Sequence, residues 1–203
     1  NTNAEVGNPT NSTTKAGNPE SQPSDLAISS RGSNQVTLTW TRGTTGTNTL
    51  VAIRATYAPA NPVDLNSYTA DPAFKGGSDL GSESYVVYNG TGESVTVTGL
   101  DPGKYYVVEA TSFNGSSGSE NYRDTDSPAT VNFYTLMPEP TQASGIGFGT
   151  LSATSYAVSF TAGDGLSRLV VAKAGSAVDW TPTDGTAYTG ENNNFASAAD
   201  LGS

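Results

Sequence analysis

A chain of 203 residues with no Cys and no His holds no Ser-His-Asp or Cys-His pair, no zinc finger, no haem thioether and no disulfide staple. Nine Lys and Arg stand against 19 Asp and Glu, a net charge of −10, and the cations are scattered rather than striped, which excludes a nucleic-acid binder. No run of apolar residues is long enough to cross a membrane as a helix, so no membrane insertion is expected.

The chain begins without a basic region followed by an apolar one. Either a signal peptide has been removed or the segment comes from inside a longer protein. Residues 1–22 hold almost nothing apolar and two Asn-Pro pairs, so they read as a disordered or extended linker. From Pro23 the pattern changes to period two. Val36, Leu38 and Trp40 alternate with Thr37, Thr39 and Thr41, the mark of a strand with one buried face. Val51, Ile53, Ala55 and Tyr57 follow on one face of the next. Tyr85–Tyr88 runs into the turn pair Asn89-Gly90. Val95 and Val97 lead to Leu100. Tyr106, Val108 and Ala110 alternate after Asp101-Pro102-Gly103, and Val131, Phe133 and Thr135 close the set. No 3.6-residue stripe persists for three turns. Short strands separated by Gly, Pro and Asn turns predict an all-β antiparallel sandwich.

The pattern restarts after Pro138. Val36-x-Leu-x-Trp40-Thr41 becomes Tyr156-x-Val-x-Phe160-Thr161, displaced by 120 residues. Leu50–Ala55 becomes Leu169–Ala174, displaced by 119. Tyr68 matches Tyr188, Phe74 matches Phe195, and Asp79–Ser82 matches Asp200–Ser203. Two copies of one module are implied. The strands that follow Ser82 have no counterpart after Ser203. Either the natural chain continues or a strand from another chain completes the second copy.

Trp40, the Leu100-Asp-Pro-Gly turn and Tyr106 resemble the landmarks of a fibronectin type III domain. There the Tyr at this place is a corner residue whose hydroxyl bonds back to nearby backbone. The resemblance implies tandem immunoglobulin-like (fibronectin type III-like) β-sandwiches, the second incomplete in this chain. Residues 23–136 form the first module, with a long insertion at about 56–84, and residues 137–203 form the front half of a second copy. Such modules occur in large, repetitive bacterial secreted and surface proteins.

Candidate residues follow from the same pattern. Trp40, Leu100, Tyr106 and Phe160 are expected in structural cores, since one phase accepts Trp in one copy and Phe in the other. Tyr68, Phe74, Tyr188 and Phe195 are expected to pin the insertions down. Trp180, set against Leu65 of the first copy, either anchors its loop or, with Tyr188, contacts a glycan. Glu120, Asp124 and Asp126 offer oxygen donors for a calcium ion, although the spacing fails the EF-hand pattern and Arg123 lies among them. A solvated loop is the plainer reading, and no cofactor is expected. The other acids lie mostly in turns, where backbone bonding explains them, so no enzyme is expected. Asn11-Ser-Thr13, Asn89-Gly-Thr91 and Asn114-Gly-Ser116 match the glycosylation sequon, as chance allows in this composition.

The sequence therefore predicts a non-catalytic spacer or stalk segment of an extracellular bacterial surface protein or filament. Its expected partners are neighbouring repeats of the same chain. The alternatives are a carbohydrate-binding accessory module and a fibre subunit completed by strand donation from another copy.

Overall fold

The structure, a computed structural model, describes residues 14–44 and 48–201. Residues 1–13, with the Asn11 sequon and most of the expected linker, lie outside the described residues, as do Gly202 and Ser203. The chain divides into two units, Asn1–Met137 and Pro138–Ser203.

In the first unit the alternating segments become strands. They are β1 (Ser24–Arg31), β2 (Val36–Thr41), β3 (Asn48–Ala55), β4 (Tyr85–Gly90), β5 (Ser94–Val97), β6 (Tyr105–Asn114), β7 (Asn121–Tyr122) and β8 (Ala129–Tyr134). One sheet has the order β1-β2-β5, and the other has the order β4-β3-β6-β7 with β8 also paired to β6. All of these pairings are antiparallel. The sandwich core lies between the sheets. Val36, Leu38 and Trp40 of β2 meet Val51 and Ile53 of β3 and Tyr106, Val108 and Ala110 of β6.

β3 departs from simple alternation, because Leu50, Val51, Ala52 and Ile53 are all buried. Leu50 and Ala52 face away from the core into a second cluster with Val86, Phe113 and Tyr122. The insertion covers that outer face through Tyr68, Ala70 and Leu80. A strand buried on both faces needs a continuous apolar run. β3 ends at Ala55, so Tyr57, expected on its buried face, is exposed beneath the Arg54 guanidinium, 5.3 Å from the ring centre.

Tyr106 is wholly buried, and its hydroxyl accepts the Asp101 N–H at 2.9 Å. Its phenol is pushed up, chiefly by burial. Tyr106→Phe keeps the packing and removes the acceptor. The expected loss is about 1 kcal/mol, read as a lower urea midpoint at unchanged slope.

In the second unit β9 (Ser144–Leu151) pairs with β10 (Tyr156–Thr161). The register is that of β1 and β2 moved by 120 residues. Thr41 opposite Ser24 becomes Thr161 opposite Ser144, and Leu38 opposite Ile28 becomes Val158 opposite Phe148. The hairpin bond repeats as well, Gly32 N–H to Gln35 at 2.9 Å and Ser152 N–H to Ser155 at 2.8 Å. Asp25 takes a left-handed φ of 54°, and its counterpart is Gly145 at 62°.

Phe160, expected in a core, is 38% exposed. The only sheet among the described residues of this unit is the two-stranded one, so no strand lies over Phe160 as β6 lies over Trp40. Leu169–Ala174, the counterpart of β3, forms no strand, because no described strand pairs with it.

Candidate functional site

Three surfaces carry the chemistry that the sequence singled out: the insertion with its groove, the loop around Trp180, and the apolar face of the second unit.

The insertion of the first unit is fixed at both ends. Phe74 packs edge-on against Tyr85 at 5.4 Å and Tyr106 at 5.3 Å, joining the sandwich core. Tyr68 packs on Tyr122 at 5.8 Å, on the opposite face of the sheet. The insertion backbone also hydrogen-bonds to β4, Asp71 N–H to the Val86 carbonyl and Val86 N–H to the Ser78 carbonyl. The Asp71 carboxylate accepts the Ala73 N–H at 2.8 Å, an Asx turn.

A polar groove of about 610 Å³ runs between Asn61–Asp64 and Tyr122–Pro128. Its charges are largely committed to structure. One Asp64 oxygen accepts the Tyr122 N–H at 2.8 Å and the other meets Lys15 at 2.7 Å. Arg123 grips Asp126 through Nε at 2.5 Å and Nη2 at 3.0 Å, and a further N–H of Arg123 donates to the Pro19 carbonyl. The Gln22 side chain ties the lead-in to the same region. Its carbonyl oxygen accepts the Ser112 N–H, and its amide donates to the Arg123 and Asp126 carbonyls. Residues 14–22 carry no strand or helix yet are pinned by these bonds, with Pro19 wholly buried. Sequence reasoning missed Gln22. The available signal was Gln142, its counterpart at the same displacement of 120.

The calcium candidates do not converge. Glu120 is buried and accepts from the Ser67 hydroxyl and the Gly118 N–H, while Asp126 is held by Arg123. Among the described residues no three acids gather as a metal site would require.

Two glutamates titrate in opposite senses. Burial raises the Glu109 carboxyl above its ordinary 4.5. Burial also pushes Glu120 up, but the hydrogen bonds from Ser67 and the backbone outweigh it, and the net direction is down. A raised acid favours the fold at low pH and opposes it once the pH passes its folded value; a lowered acid does the reverse. Glu109→Gln will therefore stabilise the first unit at pH 7, with the gain vanishing below about pH 4. Glu120→Gln will destabilise it at pH 7 and flatten its acid limb. Urea titrations from pH 3 to 8 give both signs.

Trp180 is half-buried and packs edge-on against Tyr188 at 5.1 Å. The Tyr188 hydroxyl accepts the Thr183 N–H at 2.8 Å, as the Tyr68 hydroxyl accepts the Val63 N–H at 3.1 Å. Leu65 and Gly185 share the left-handed backbone at φ 65° and 74°. These pairs are all displaced by 120, which sets Trp180 against Ala60 rather than Leu65. The aromatic pair thus belongs to the second unit alone. The Asx turn repeats too, Asn194 N–H to Asn192 at 2.8 Å, although Phe195 stays exposed.

A two-layer antiparallel sandwich with a buried Trp and a bonded corner Tyr narrows the fold, and the sequence model of the fibronectin type III domain decides it by matching residues 21–126. The chain belongs to the fibronectin type III family. Fibronectin type III domains are generally non-catalytic structural or binding modules, commonly extracellular, and typically need no cofactor. Among solved structures, the fibronectin type III domain of the human collagen α-1(XX) chain is 18% identical, with 64% of this chain and 99% of that one covered and a TM-score of 0.41. A two-domain fibronectin type III segment of chicken tenascin is 18% identical, with 70% and 62% covered and a TM-score of 0.40. A computationally redesigned β-sandwich protein is 18% identical, with 60% and 96% covered and a TM-score of 0.41. No curated protein matches this chain in sequence.

Proposed function

We propose that this chain is a non-catalytic spacer or stalk segment of an extracellular, multidomain bacterial surface protein or filament. The observation that carries the reading is the repeat. One strand pairing, one hairpin bond and one left-handed residue recur 120 residues apart. Selection for reach multiplies one module, whereas a catalytic site calls for a cleft that copying does not supply.

The surface chemistry supports this setting. A chain without Cys depends on no redox compartment, and a charge of −10 keeps repeated units apart in solution. Two groove acids of the first unit, Asp64 and Asp126, are engaged by the Tyr122 N–H, Lys15 and Arg123, which supports a structural use of these carboxylates.

Antibodies raised against the first unit test the assignment. They are expected to label unpermeabilised cells of the source organism, and external protease is expected to remove the label. Labelling that needs permeabilisation would end the extracellular reading.

A further inference from the structure

Ahead of β1 the chain lies as a strap against the β6-β7 hairpin of its own unit. The Ala16 N–H donates to the Ser119 carbonyl at 2.9 Å. The Ala16 and Gly17 carbonyls accept from the Asn121 and Asn114 side chains at 2.7 and 2.8 Å. Pro19, wholly buried, is the apolar foothold. The last residue of the strap, Gln22, takes the place of a ladder. β7 pairs with β6 over two residues only, Phe113 opposite Tyr122 and Asn114 opposite Asn121. Next to them the Gln22 side-chain amide accepts the Ser112 N–H at 3.0 Å and donates to the Arg123 carbonyl at 3.0 Å.

This hold differs from that of the sandwich. The strap has no backbone ladder, and Pro19 is its one buried residue. β1, which follows, pairs with β2 and packs Leu26 and Ile28 against the core. Little buried apolar surface and hydrogen bonds near water mark a segment that opens before the rest. The strap enters at the tip of the β6-β7 hairpin, where Ala16 meets Ser119. The chain leaves β8 at the other end of β6, where the Thr135 N–H donates to the Lys104 carbonyl at 3.0 Å. Freed strap therefore adds length between entry and exit, and a pull between them favours the open form. The fastening is also copied. The Ser21 hydroxyl accepts the Thr44 N–H at 3.0 Å, and 120 residues on the Thr141 hydroxyl accepts the Asp164 N–H at 3.1 Å. Gln142 follows Thr141 as Gln22 follows Ser21.

We propose that residues 14–22 are a tension-released strap. Pulled from its N-terminal side, the first unit lets this segment go, keeps its sandwich folded, and recloses when the pull falls. Nine residues at about 3.5 Å each give up to about 30 Å of added length. The purpose rests on the stalk reading, because a stalk carries load. A stalk so built yields in small reversible steps before any module unfolds.

The chain has no Cys, so Asn3→Cys and Glu139→Cys place handles on either side of the first unit of the 203-residue chain. Optical tweezers are expected to show a reversible step of up to about 30 Å below the force that unfolds the sandwich. Gln22→Ala leaves the Ser112 N–H without its acceptor. It is expected to shift the small step about tenfold toward the open form at a given force. The sandwich should still unfold at its usual force, which also shows that the variant has folded. Without load, the Ala16 and Ser112 amides are expected to exchange together, faster than the β6 amides between β3 and β8. The proposal falls if no step precedes sandwich unfolding, if Gln22→Ala leaves the step where it was, or if it weakens both transitions alike. A missing step overturns the strap and leaves the stalk reading standing. Antibody labelling that needs permeabilisation ends the stalk reading and leaves the step in place.

Discussion

Trp40→Ala will cost the first unit about 3–5 kcal/mol, whereas Phe160→Ala, at the same phase of the second, will cost its unit distinctly less. Trp40 is 4% exposed and touches both layers, with Tyr88 edge-on at 5.0 Å. Its removal leaves a cavity between two sheets that cannot collapse without breaking their ladders. Phe160 is 38% exposed, so truncation there forfeits less burial and leaves no sealed cavity. Trp40→Phe separates volume from polarity. The indole Nε1 finds no acceptor among the described residues, so its loss relieves a buried unpaired donor. A Phe at this place is therefore expected to lower stability far less than Ala does. Urea denaturation followed by circular dichroism ranks the three variants.

Gly77→Ala is expected to destabilise the first unit by about 1–3 kcal/mol and to free the insertion. A Cβ at Gly77 would overlap the Val86 carbonyl oxygen and crowd Asp71 N and the Thr69 carbonyl oxygen. All three are backbone atoms, and the Val86 carbonyl already accepts the Asp71 N–H. The methyl group therefore has to push the insertion off β4. Amide exchange across 66–84 should accelerate more than exchange in β3. Gly17→Ala meets nothing within 4 Å and serves as the neutral control. Equal acceleration throughout the unit would mean that the insertion and the sandwich melt as one.

Legibility in the sequence followed burial geometry. β2 has one face on the core and one on solvent, so its Val-x-Leu-x-Trp pattern was plain. β3 hides both faces, so reading it by alternation found Val51 and Ile53 but misplaced Tyr57 and overlooked Leu50 and Ala52. The reason sits about twenty residues downstream, in an insertion whose Tyr68 and Leu80 supply the second cover. The clip formed by Gln22, Arg123 and Asp64 was invisible for a related reason. Polar side chains that bond to backbone leave no periodic trace, and their partners lie far away in the chain. Trp180 was misaligned because Val-Asp recurs before both Leu65 and Trp180, and the shared Tyr hydroxyl bond together with the left-handed Leu65 and Gly185 fixes the register.

The register of β1 against β2 slips twice, between Ser24 and Ala27 and between Ile28 and Ser30, and the β9-β10 pair is irregular at matching places. β1 is an edge of its sheet. Near-identical edges strung along one polymer meet at high local concentration, where a flat edge would zip onto its neighbour and lock both into a misfolded aggregate. A bulged edge twists its unpaired groups out of line and offers no straight template. Straightening β1 would thus be felt less in the stability of one module than in the yield of correctly folded arrays.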